Sequence, residues 1–108
     1  MEKIYNKLVR DNIPNIIRKN NGEPYIRILN DDEYKSELEK KLYEEYLEVV
    51  DAKDSNDKIE ELADMIEVIS SLASLINKNL DDVIEIAKIK KEKRGGFEER
   101  IYLEKVIE

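Results

Sequence analysis

Between residues 31 and 94, apolar side chains recur at helical spacing in three segments separated by short polar breaks. The first carries Leu38, Leu42, Tyr43, Tyr46, Leu47, Val49 and Val50. Asn30 or Asp31 is its predicted cap, acids fill its first turn, and it runs to about Lys53. Asp54-Ser55-Asn56-Asp57 reads as a turn, and a second helix is predicted from about Asp57 to Asn77. Asn79 caps a third, which carries Val83, Ile84, Ile86, Ala87 and Ile89 and stops at Gly95-Gly96. Short connections imply that consecutive helices pack antiparallel. The apolar arcs of the first two are wide, which implies burial on two sides, by the chain itself and by a second subunit.

The ends are less regular. Pro14, Pro24 and Asn20-Asn21-Gly22 punctuate residues 1–30, leaving room for a short helix around Ile13–Lys19. Tyr25-Ile26-Arg27-Ile28-Leu29 alternates like a strand. From Phe97 onward the pattern Phe97, Ile101, Leu103, Ile107 permits a terminal strand or short helix, and a strand there could pair with Tyr25–Leu29. The expected fold is all-α: an antiparallel bundle of three to four main helices with, at most, a short terminal β-pairing. The chain suffices for a single domain, residues 1–108, with an irregular N-terminal segment (1–30), a helical core (31–94) and a C-terminal tail (95–108).

Two acidic pairs interrupt the apolar stripes. Glu45 and Glu48 lie three apart in the first long helix, Glu61 and Asp64 three apart in the second, so each pair shares a helix face. With Glu45 at zero on a wheel of about 100° per residue, Leu38, Leu42 and Val49 fall near 20°, 60° and 40°, and Glu48 near −60°. With Glu61 at zero, Met65, Val68 and Leu72 fall at about 40°, about −20° and about 20°, and Asp64 again at about −60°. Both helices thus place the same carboxylate pair at the same angle on their packing faces. Either a rotation of the helices exposes them as ordinary surface acids, or, on the packing faces, they need basic partners, shared protons or a hard cation with oxygen ligands.

Composition narrows the chemistry. The chain has no cysteine and no histidine, so disulfides, zinc-thiolate sites and Ser-His or Cys-His hydrolysis are excluded. A general base must be a carboxylate, a lysine or a metal-bound hydroxide. Nineteen basic against 26 acidic residues give a net charge of −7, which disfavours nucleic acid as a partner. No apolar run is long enough to span a membrane, and Met1 is not followed by a signal-like apolar stretch, so a cytoplasmic location is expected. An all-carboxylate site suits Mg²⁺, or Mn²⁺ in its place, and a phosphoanhydride is the natural substrate for a cation held this way. Lys88, Lys90, Lys91, Lys93 and Arg94 gather positive charge near the C-terminus. That charge serves either the helix dipole or, for Lys93 and Arg94 before the glycines, phosphate binding. Arg10 reads as a phosphate contact or as the partner of Asp11.

Glu44-Glu45-Tyr46-Leu47-Glu48, followed after twelve residues by Glu61-Leu62-Ala63-Asp64, resembles the signature of the MazG-type all-α nucleotide pyrophosphohydrolases. That superfamily includes phosphoribosyl-ATP pyrophosphohydrolases and dimeric dUTPases. Tyr5-Asn6-Lys7-Leu8-Val9-Arg10-Asp11-Asn12-Ile13-Pro14 and Lys93-Arg94-Gly95-Gly96-Phe97-Glu98 resemble its small phosphoribosyl-ATP pyrophosphohydrolase-like housecleaning branch. The resemblance implies Mg²⁺-dependent hydrolysis of a nucleoside triphosphate between its α and β phosphates by a homodimer or homotetramer. It implies Glu45, Glu48, Glu61 and Asp64 as metal ligands and Lys7, Arg10, Asp11, Lys93 and Arg94 as substrate contacts. Glu44 and Glu45 are the candidate catalytic acids; the wheel angle of Glu44, about −100°, makes it at most a water-orienting base behind the ligands. The competing reading is a non-enzymatic helical dimerisation or regulatory module, motivated by the wide apolar arcs.

Overall fold

Three side-chain caps set where the long helices begin. The Asn30 side chain accepts from the Glu33 N–H while the Glu33 carboxylate reaches back to the Asn30 N–H, a reciprocal capping box. Asp54 accepts from Asp57 N–H at 2.9 Å, and Asn79 and Asp82 form a second capping box. A computed structural model describes residues 1–108 as four helices: α1 Ile13–Lys19, α2 Asp31–Asp51, α3 Ser55–Ser74 and α4 Leu80–Arg94. The architecture is all-α. No helix is long and apolar enough to cross a membrane.

The expected boundaries shift in two places. Helix α2 stops at Asp51, and the turn is Ala52–Asp54 rather than 54–57, because Asp54 serves as cap and Ser55 already begins α3. Helix α3 ends at Ser74, after which Asn77 N–H bonds Ser74 C=O and Lys78 N–H bonds Ala73 C=O. Asn77 takes φ 59°, so the chain closes in a Schellman turn with asparagine in the left-handed position. Helix α4 finishes where expected: Gly95, at φ 82°, donates its N–H to Lys91 C=O.

Helices α2 and α3 form an antiparallel hairpin, the centre of the molecule. Leu38, Val68 and Ala73 are buried in its seam, and Leu42, Val49, Met65, Ile69 and Leu72 are half-buried beside them. These are the positions the wheel puts inward. The other halves of the wide arcs stay open: Tyr43, Tyr46, Leu47 and Val50 on α2, and Ile59, Leu62 and Ile66 on α3, are exposed. Helix α4 packs only lightly, against α3.

The strand expectation fails. Residues 23–30 and 101–108 belong to no helix, turn or strand, and no backbone hydrogen bond joins them. Alternation alone prepares a strand; the ladder also needs an edge within reach, and an isolated two-stranded ribbon is marginal in water. The first segment is tied instead to the start of α2 by a bidentate pair from Arg27 to Glu33.

Candidate metal centre

The antiparallel register of the hairpin creates the site. It sets Glu48 of α2 beside Glu61 of α3, and Glu45 one turn back beside Asp64, so the two in-phase acid pairs face each other across the seam. One oxygen from each of Glu45, Glu48, Glu61 and Asp64 lies within 4.8 Å of the other three. Glu45 is buried, Glu61 and Asp64 are half-buried, and Glu48 is exposed at the rim.

Two oxygens in this cluster are orphans. Glu45 Oε2 and Glu61 Oε2 are buried without a hydrogen-bond partner. Such groups are rare in folded proteins because they forfeit their hydration. The strain shows in the proton affinities. Burial, reinforced by hydrogen bonding to Glu48 and by the charges of Glu48 and Asp64, raises the Glu45 pKa to about 7. Hydrogen bonding to Glu48, with burial and the neighbouring acids, likewise raises Glu61 to about 7. Glu48 receives those bonds and lies below its ordinary value, helped by the charges of Lys41 and Lys7. Without a cation, the cluster holds itself together by sharing protons.

One arginine enters from outside the hairpin. Arg10, which precedes α1, donates to Asp64 Oδ1 at 2.8 Å across 54 residues of sequence. It pairs with Asp64 rather than Asp11. Lys7 lies over the Tyr5 ring, 5.8 Å from its centroid, and its charge reaches Glu48. The N-terminal segment therefore brings two of the expected substrate contacts to the acidic cluster.

The remaining candidates stand elsewhere. Glu44 is exposed outside the four-acid cluster and pairs with Lys41 at 3.4 Å. Asp11 is exposed, and no hydrogen bond or ion pair links it to the four acids. Lys93 and Arg94 are exposed in the last turn of α4, also without a bond to them. Lys41 is the residue the pattern reading missed. Its charge helps to lower Glu48 and opposes the rise at Glu45, and the signal was its place three to four residues before Glu44 and Glu45 on the same helix.

Comparison with known proteins adds little. No protein-family model matches the chain, and no solved structure matches it. A protein of Mycolicibacterium smegmatis described as uncharacterized is 51% identical over 43 residues, which is 40% of this chain and 44% of that protein. The chain thus matches under half the length of that relative. The class the site itself defines is an α-helical protein with a four-carboxylate cluster able to hold a metal ion.

Proposed function

We propose that this chain is a Mg²⁺-dependent nucleoside triphosphate pyrophosphohydrolase of the MazG type. It adds one water across the α–β anhydride and releases nucleoside monophosphate and pyrophosphate, in housecleaning or nucleotide-pool control. The observation that carries this reading is the facing pair of carboxylate pairs with orphaned oxygens on Glu45 and Glu61.

The residues fit the cation. All donors are hard carboxylate oxygens, which is what Mg²⁺ and Mn²⁺ prefer over zinc. Opposed ligands around an octahedral Mg²⁺ stand about 4.2 Å apart. Oxygens already within 4.8 Å need only a small inward movement to reach that spacing. Glu45, Glu48, Glu61 and Asp64 would hold the metal, which when bound neutralises phosphate charge and acidifies a water.

The chain's own groups do the rest. Glu45 Oε2, buried with no hydrogen-bond partner, is the oxygen that would accept the proton of the attacking water. Arg10 and Lys7 lie at the rim and bind phosphate oxygens, Arg10 by its forked guanidinium. Catalysis of this kind is mostly positioning and charge compensation, so the absence of histidine and cysteine is no obstacle. The protein works as a homo-oligomer, a reading supported by the apolar faces of α2 and α3 that one chain leaves open.

Those same faces support the competing reading of a non-enzymatic helical module. Pyrophosphate release from a panel of canonical and modified nucleoside and deoxynucleoside triphosphates, with and without Mg²⁺, decides between them. We expect metal-dependent release that Glu61→Gln and Asp64→Asn each abolish while helical content is retained. Turnover that survives both substitutions overturns the site assignment. Absence of turnover together with no Mg²⁺-induced rise in melting temperature leaves the helical module.

A further inference from the structure

Two segments of this chain are prepared for β-pairing and have nothing to pair with. Residues 25–29 carry Tyr25, Ile26 and Ile28 in the open, and residues 101–107 read Ile-Tyr-Leu-Glu-Lys-Val-Ile, rich in β-branched and aromatic side chains. Neither belongs to a helix, turn or strand, and neither makes a backbone hydrogen bond. Tyr102 and Ile28 are 88% and 89% exposed, a condition single large apolar residues tolerate but a run of them does not. Along the tail, Ile101, Leu103 and Ile107, with Lys105 between them, would share one face of a strand laid on a second apolar surface.

The surface of the whole chain says what covers these segments. It exposes 10303 Å², where a folded monomer of this mass exposes about 6,200 Å². The excess, on the order of 4,000 Å², is well above the roughly 800 Å² that each partner buries in a standard interface and lies in the obligate class. An obligate interface of that size belongs to permanent subunits, and in a chain with only three buried apolar residues it is the missing core. A second copy of this chain would supply that core.

We propose that the tail, residues 101–107, adds as a β-strand to residues 25–29 of a second copy, so that subunits exchange C-terminal arms. The exchange pairs the facing N–H and C=O groups of the two segments and covers the apolar arm. It is independent of the hydrolytic reading, since it involves neither the carboxylates nor nucleotide.

Sedimentation of the full chain and of a chain ending at Gly96 tests the arm without metal or substrate. The full chain is expected to be oligomeric, and removal of the arm to raise its dissociation constant about tenfold or more. Helical content by circular dichroism reports whether the shortened chain folds. A second measurement uses full-length chains. The protein has no cysteine, so Ile28→Cys and Leu103→Cys chains each carry a single thiol. When mixed, they are expected to be joined by a short bis-maleimide into a mixed product of two different chains. A monomeric full chain, an oligomer indifferent to the deletion, or a failure of the mixed chains to cross-link overturns the proposal.

Discussion

Glu45 combines properties that conflict unless something else is bound. It is a buried acid, one of its oxygens has no partner, and its pKa is raised to about 7 by burial and by its acidic neighbours. The sign of the pH dependence follows. Folded Glu45 and Glu61 retain protons that the unfolded chain releases from about 4.5 upward, so metal-free stability falls as pH rises from about 4.5 to about 7. Glu48, whose pKa is lowered, acts below that window. Thermal melts across this range with chelator present should show the decline, and saturating Mg²⁺ should flatten it, because metal takes the place of the protons. For the same reason Glu45→Gln should raise the metal-free melting temperature while weakening Mg²⁺ binding. Arg10 is the built-in counter-charge of Asp64 and must yield when a cation arrives. Arg10→Gln should therefore tighten Mg²⁺ binding measured by calorimetry and, in the proposed reaction, raise KM for nucleotide; looser metal binding in that variant would contradict the competition. The four acids were legible as residues because their spacing fixes their face. Arg10 beside Asp64 was not, since no local pattern encodes a contact across 54 positions.

At the scale of elements, caps carried most of the readable information. Asn30 and Asn79 announce their helices because a short polar side chain can bond an otherwise orphaned N–H. Asn30→Ala should cost about 1 kcal/mol, seen as a lower melting temperature. Asp54-Ser55-Asn56-Asp57 was ambiguous because every residue in it favours turns and caps alike. In the structure Asp54 is the one that caps, its side chain accepting from the Asp57 N–H. The hairpin seam behaves as the periodicity implied. Leu38 is 3% exposed, and Leu38→Ala should cost roughly 2–5 kcal/mol, since few other apolar residues are as fully enclosed. The alternating ends show the opposite limit: Tyr25–Leu29 and Ile101–Ile107 have strand patterns and no strand within one chain, because a strand is defined by its neighbour.

The whole molecule is long for its mass. Its radius of gyration is 18.5 Å over extents of 62 × 35 × 25 Å, whereas a compact domain of this length has about 13 Å. A hairpin with a thin seam, a loosely attached α4 and two bare end segments leaves Leu38, Val68 and Ala73 as the fully buried apolar side chains, and the proposed second copy would supply the rest of the core. The melting temperature should therefore rise with protein concentration, as it does when folding and assembly are one event; a concentration-independent value would show the single chain to be self-sufficient. What the sequence alone determined is the local layer: three long helices and room for a short one, the cap of α4 and the cap region of α2, the inward faces of α2 and α3, and two acid pairs at matching angles. Each follows from interactions spanning a few residues, where spacing and geometry are fixed by the backbone. Only the tertiary structure decided that the pairs meet within 4.8 Å, that Arg10 closes on Asp64, that Glu44, Asp11, Lys93 and Arg94 stand apart, and that the ends remain unpaired. Those outcomes depend on the register of one helix against another and on loop paths, which are set by packing that no single stretch of the chain contains.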